Sequence, residues 1–297
     1  MITRVELLTD TTDREELDGG GGFQTWRRFR RHRLALAAAV VLTMIVLVSI
    51  FAPLLAPYNP YVPDPFNMVA APGPAHLLGT DQNGSDVLSR LMYGGRYSLG
   101  IGVSAALISA VIGVLVGATA GWIGGWVDNV LMRFVDLMLS FPALFLLLIL
   151  FSISGGGSVS IIIFFLGIFG WMYMARIVRA QILALRETDF VQSAQAVGVP
   201  PLRIVVRHLL PNILAAIIVT STLAIAYNML SEAILDFLGF GVAADTPTWG
   251  NMLNAAEAHL LDAPYLAIAP GLILTITILC VNFIGDGLRD ALDPRLK

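Results

Sequence analysis

The chain has 297 residues, 57% of them hydrophobic and only 13% charged, with a mean hydropathy of +0.78 and a formal net charge of −3. Soluble domains carry about 25% charged residues, so this composition places the chain among polytopic membrane proteins. Cys280 is the single cysteine, which excludes disulfides and cysteine metal sites within one chain, and Lys297 is the single lysine, which excludes a G-x-x-x-x-G-K-[ST] nucleotide loop.

Residues 1–26 are polar, acidic and threonine-rich and include Gly19-Gly20-Gly21-Gly22, which reads as an unpacked cytoplasmic tail. The basic run Trp26-Arg27-Arg28-Phe29-Arg30-Arg31-His32-Arg33 then precedes an uncharged stretch, 34–56. A signal-peptide core is about 7–15 residues long, whereas this stretch has about 23, enough for a bilayer core near 30 Å. A retained first span within 27–56 is therefore expected, with its arginines inside. Residues 57–98 form an outer loop in which Asn83-Gly84 signals a turn, Ser85 can cap a short helix, and Asp86 can pair with Arg90. Such a pair stabilises a helix by only about 0.2–0.5 kcal/mol.

The segment 99–297 holds five more expected spans, near 99–122, 135–154, 159–182, 211–239 and 264–285. Gly113, Gly117 and Gly121 recur at four-residue spacing, which lets two helix backbones approach closely. With the N-terminus inside, the outer loops hold only Arg90 and Arg96 of the 18 Lys and Arg residues. This bias puts both ends and the segment around Arg176–Arg207 on the cytoplasmic side. The fold class is thus an all-α polytopic membrane protein with six transmembrane helices, N-in and C-in.

On the fifth span Ser221, Asn228, Glu232 and Asp236 share one side, and charged groups in membrane helices mark pathways. Glu232 lies roughly 32 Å along the span from Pro211 at 1.5 Å per residue, near the outer interface. Two readings stand: an interfacial acid bonded to nearby backbone, or the outward mouth of a substrate path. In the second, Asp236 would favour cargo with a free amine or basic side chain. As proton carriers, Glu232 and Asp236 would instead suit a stand-alone secondary transporter. His32, His76, His208 and His259 scatter over both sides, so no metal site is expected, and no Ser, His and Asp set is placed for nucleophilic catalysis.

Between the fourth and fifth spans lies a polar, arginine-bearing island, DFVQSAQAVGVPPLRIVVRHLLPN, from Asp189 to Asn212. It reads as two short helices within 187–210. The first stops at Gly198, which reaches positive φ without penalty, and Pro201 suits the first turn of the second. Pro211 can then open the next apolar helix. A bent helical elbow at a membrane face is a shape another protein can grip.

The spacing Gln192-Ser193-Ala194, three residues, Gly198, then Leu210-Pro211 resembles the E-A-A-x-x-x-G loop of ABC importer permeases, whose coupling helices dock on a cytoplasmic ATPase. Gln192 replaces the family's Glu, Ser193 an Ala, and His208 an Ile. The run from His76 through Leu78-Gly79-Thr80-Asp81 to Asp86-Val87 and Ser89-Arg90 is similar to the dipeptide, oligopeptide and nickel branch, with Leu77 for Pro and Ser85 for Arg. So are Ser231-Glu232-Ala233 to Gly239-Phe240-Gly241, with Asp236 for Ser, Pro247-Thr248-Trp249-Gly250, and Asp293-Pro294-Arg295-Leu296.

This resemblance, over 27–297, implies the fold of a type I importer permease that pairs with a second related permease, two ATPases and an outside solute-binding protein. It implies no cofactor in this chain and ATP and magnesium in the ATPase partners; the arginines near the membrane are themselves read as meeting anionic lipid headgroups or the ATPase, with no nucleic-acid partner expected. Asp189, Gln192, Ser193, Ala194, Gly198, Arg203, Arg207 and Pro211 would form the ATPase contact, with Gly198 as its hinge. The implied cargo is a di- or oligopeptide, with nickel chelates and oligosaccharides as alternatives.

Overall fold

The computed structural model describes residues 29–30, 32–154 and 157–292. The glycine-rich tail, Arg27, Arg28, Arg31 and the Asp293-Pro294-Arg295-Leu296 run lie outside the described residues. Helix α1, Arg33–Ile50, is capped by the His32 ring, which accepts from the Ala35 amide at 3.0 Å. Most of its large apolar side chains face outward, while Ala35 and Ala38 are buried, as a lipid-facing helix requires. The expected single run to residue 56 is divided at Phe51, after which Pro53 sits in the first turn of the short α2, Ala52–Leu55.

Helix α3, Val87–Ile123, merges the expected outer helix and second span into 37 residues, about 55 Å at 1.5 Å per residue. Its N-cap is Asp86 rather than Ser85: the Asp86 carboxylate accepts from the Ser89 amide at 2.8 Å and from the Ser89 hydroxyl at 2.7 Å. The expected Asp86–Arg90 pair is replaced by an Arg90–Asp81 pair at 3.4 Å, because capping turns the Asp86 carboxylate back onto the helix end. Asp86 pairs instead with His76 Nδ1 at 2.9 Å.

Helices α4, Gly125–Ser140, and α5, Ala143–Ser154, meet at 82°. A straight third span over 135–154 is thus replaced by a broken one. Pro142 supplies no amide proton and drives Phe141 out of the helical region, to φ −86° and ψ 137°. Helix α6, Val159–Arg186, returns to the inner side. The elbow follows as α7, Asp189–Ala196, and α8, Pro201–Ile204. Then come a π turn, Val205–Leu209, and helix α9, Leu210–Phe237. An outer loop leads to α10, Trp249–Ala256, and α11, Tyr265–Leu292, completes the bundle. Among the described residues, five helices are long and apolar enough to cross a membrane, and the bent α4–α5 pair, counted as one broken span, brings the number to six.

Helix α3 is the pillar. A Cβ on Gly113 would lie 2.5 Å from Met174 Cβ, on Gly117 2.5 Å from the Ala175 carbonyl oxygen, and on Gly121 3.0 Å from the Arg179 carbonyl oxygen. All three glycines therefore hold α3 against α6 backbone to backbone. Farther out, Gly102 admits Met229 of α9, while Gly94 and Gly95 admit Trp249 of α10. Across the inner end of this pair, Asp128 of α4 pairs with Arg179 of α6, and Asp136 pairs with Arg176.

Replacing Gly117 by Val drives side-chain atoms into α6 backbone, and overpacking of this kind costs about 1–3 kcal/mol or more. We expect Gly117→Val to abolish recovery of monodisperse protein in detergent, while Gly100→Ala, which has no atom within 4 Å of its new Cβ, leaves recovery at the wild-type level.

Candidate functional site

The elbow is fixed on one side and open on the other. Thr188 starts α7, its carbonyl accepting from the Val191 and Gln192 amides at 3.1 Å each. The helix ends in a Schellman arrangement: the Gly198 amide donates to the Gln195 carbonyl at 2.9 Å and the Val199 amide to the Ala194 carbonyl at 3.0 Å. Gly198 has φ +82°, a left-handed conformation that only Gly, and less often Asn, adopts readily. Its bend lets Val191 and Ile204 fold back onto Ile182, Leu209 and Ile213, all buried in one cluster at the inner ends of α3 and α6. Arg186 closes the joint, donating to the Trp122 carbonyl at 3.1 Å at the end of α3.

The second elbow helix does not stop at His208 as expected. The Leu210 amide donates to the Val205 carbonyl, five residues back, and the chain continues into α9 through this π turn. An α-helical Pro211 would press its ring on the Arg207 carbonyl; the wider turn relieves that clash. Pro211 therefore sits in the first turn of α9, but α8, the π turn and α9 form one continuous rod.

Asp189, Gln192, Ser193, Gly198, Arg203, Arg207 and Pro211 are exposed and Ala194 is half-buried. Gln192 donates its side-chain amide to the Glu187 carbonyl at 3.1 Å, a bond a carboxylate cannot make. Between them stand apolar side chains with nothing over them: Val197 is 85% exposed and Leu202 is 74% exposed. Glu187, Arg186, Gln195 and Pro201 line a broad groove alongside. The groove carries both apolar and polar groups, the combination found at interfaces between proteins.

The four polar residues on α9 separate into different environments. Glu232 is 0% exposed and Asp236 1% exposed, so neither lies at an open mouth. Asp236 accepts from the Val242 amide at 2.8 Å and from the Thr248 hydroxyl, and Thr248 in turn caps α10. Gly241 and Gly250 press against it: a Cβ on Gly250 would lie 2.6 Å from Asp236 Cβ. Ser98 of α3 donates to Glu232 at 3.3 Å and accepts from the Trp249 amide at 3.2 Å. The expected cargo-selecting acid is instead a tie between α9 and the outer loop, because residues 238–248 fold back over it. Ser221 is half-buried, seven residues inward from Asn228 on the same helix. Asn228 is buried and lines a cavity of about 230 Å³ between α3, the α4–α5 break, α6 and α9.

Sequence reasoning missed Arg186, Ser98, Thr248 and the break at Pro142. Only the last carried a visible signal, a proline between two apolar halves of one expected span. Asp236→Ala removes the acceptor that holds the Val242 amide and Thr248. We expect it to speed amide hydrogen exchange across 242–256 by about tenfold or more while leaving α3 and α6 protected. Unchanged exchange there would show that the carboxylate is not the tie.

Residues 113–297 match the family of binding-protein-dependent transport system inner membrane components, and residues 23–72 match the N-terminal transmembrane domain of oligopeptide transport permease C. The oligopeptide transport system permease protein OppC of Escherichia coli strain K12 is 41% identical over 293 residues, covering 98% of this chain and 97% of that protein. The glutathione transport system permease protein GsiD of Shigella flexneri serotype 5b is 42% identical over 274 residues, covering 92% and 90%. Among solved structures, an inward-facing form of the MetNI methionine ABC transporter shares the fold at a TM-score of 0.55 and 20% identity, over 69% of this chain and 98% of that chain. The chain belongs to the binding-protein-dependent transport inner membrane component family: it is a multi-pass permease subunit of an ABC importer, whose ATPase lies in separate subunits.

Proposed function

We propose that this subunit forms half of a translocation path for di- and oligopeptides delivered by an outside solute-binding protein. In this reading it pairs with a second, related permease and is driven by two cytoplasmic ATPases, one gripping each elbow. The relatives named for oligopeptide and glutathione transport support the cargo class, since glutathione is itself a tripeptide.

The observation that carries the coupling role is the elbow itself: α7 and α8 fold back on the bundle through Val191 and Ile204 while Val197 and Leu202 project outward. As the ATPase pair closes, each elbow is carried inward with its ATPase, and Gly198 sets the angle between α7 and α8. Because α8 runs into α9 without a break, this movement tilts α9 and, through the Asp236 tie, the outer loop and α10. The spans then open outward to receive cargo. Arg203 and Arg207, both exposed on the α8 side, are the candidate contacts to acidic groups of the ATPase.

A branched side chain in a left-handed conformation costs about 1–2 kcal/mol, which the elbow can relieve by changing its bend. In proteoliposomes holding the full complex, we expect Gly198→Val to assemble and hydrolyse ATP but to import peptide at under about a tenth of the wild-type rate per ATP. Gly198→Asn, which accepts positive φ, is expected to stay coupled. Wild-type coupling in Gly198→Val would refute the hinge, and absence of ATP-driven peptide uptake by the wild-type complex would refute the cargo class.

A further inference from the structure

Three features meet at a cavity that opens on one side of the bundle, where Phe141 is 54% and Tyr227 57% exposed, at a place no motif marks. The first is Asn228: its side chain is buried, with the residue 2% exposed, and its Nδ2 has no hydrogen-bonding partner among the described residues. It lies nine residues inside the outer end of α9, about 14 Å down at 1.5 Å per residue. The second is Ser109 of α3, whose hydroxyl donates to the Gly167 carbonyl at 2.9 Å, leaving its oxygen free to accept. Both border Gly170, where a Cβ would lie 2.4 Å from Ser109 Oγ and 3.9 Å from Asn228 Oδ1. Gly170 thus packs against Ser109 Oγ, and a side chain there would displace the hydroxyl and crowd Asn228. The third is the Phe141-Pro142 break, whose flanking residues Leu139, Phe141 and Ala143 form the opposite wall. Broken helices at membrane depth occur where they are buried in protein or line a cavity, and in transporters they mark binding sites.

From this geometry, and resting on the peptide-path reading above, we propose that the cavity is a cargo subsite that holds one residue of a passing peptide. Asn228 Nδ2 donates to a cargo carbonyl or carboxylate oxygen, Ser109 Oγ accepts a cargo amide, and the apolar wall of Leu139, Phe141 and Leu223 receives the side chain. A donor and an acceptor side by side match the two polar groups of a peptide unit. At about 230 Å³ the space is smaller than the roughly 300–1,000 Å³ of a drug-sized site, so it takes a residue rather than a whole peptide. Glu232 also has an oxygen, Oε2, unpartnered among the described residues, but neither it nor Asp236 lines this cavity; both lie beneath the outer loop.

The test uses the full complex with its binding protein. Asn228→Asp replaces the donor with an anion at the same place. We expect it to raise the uptake ratio of alanyl-lysyl-alanine over alanyl-glutamyl-alanine by about fivefold or more relative to wild type. Independently, Asn228→Cys in a Cys280→Ala background should react with N-ethylmaleimide in ATP-free nanodiscs. Millimolar trialanine should slow that reaction about fivefold and leave a Val206→Cys control on the elbow unaffected. An unchanged ratio, or labelling indifferent to trialanine, overturns the subsite; labelling slowed by added phospholipid but not by peptide assigns the cavity to an acyl chain. A wild-type complex that imports neither peptide overturns the cargo class instead.

Discussion

The contact between α3 and α6 sets the rest of the molecule. Three glycines let the two backbones touch, and in lipid such contact is held by dispersion and close fit rather than by apolar burial. Its geometry leaves no room for a side chain between the two helices, so α3 and α6 pack as one unit. At the inner end of that body Ile182 and Met174 receive Val191, Ile204 and Leu209 of the elbow. At the outer end Gly94, Gly95 and Ser98 receive Trp249. One rigid pair therefore presents a seat for the elbow on one face of the membrane and a seat for the outer loop on the other.

Helix α9 runs between these seats and is the part that tilts in the proposed mechanism. It begins as the elbow's second helix, passes a π turn, lines the Asn228 cavity and ends at the Asp236 tie. Each feature removes a place where motion could be lost. The π turn replaces a proline break with continuous helix, and the buried Asp236 fastens the far end to residues 242 and 248. In the proposed mechanism, energy supplied at the elbow would reach the cavity and the outer loop through this single rod. Glu232 and Asp236 lie at the outer end of this rod, and membership of the ABC importer family removes the reading of them as proton carriers of a stand-alone secondary transporter.

Much of this was legible in the residues. Long uncharged runs mark the spans because the bilayer demands about 20 apolar residues per helix. Gly198 marks the elbow because few other residues accept its positive φ, and Pro200-Pro201 mark it because a fixed φ and a missing amide suit a helix start. What was hidden depends on contacts between distant segments. Ser85 and Asp86 are both good caps; the choice of Asp86 follows from His76, ten residues away, and Ser89 meeting at its carboxylate. The fate of Asp236 is decided by a loop that folds back over it, which helical spacing alone does not reveal. Pro211 looks like a helix start in sequence and becomes part of a longer rod only because one turn upstream widens.

The central physical claim is that the exposed face of the elbow is where an energy-supplying ATPase grips this chain. Photo-crosslinking from single sites in the membrane-embedded complex tests it directly. A crosslinker at Leu202 or Val197 should capture the ATPase subunit and change its yield when ATP is added, while one at Val62 in the outer loop should not. Capture of the ATPase from Trp126 or Ile123 alone, with none from Leu202 or Val197, would contradict it.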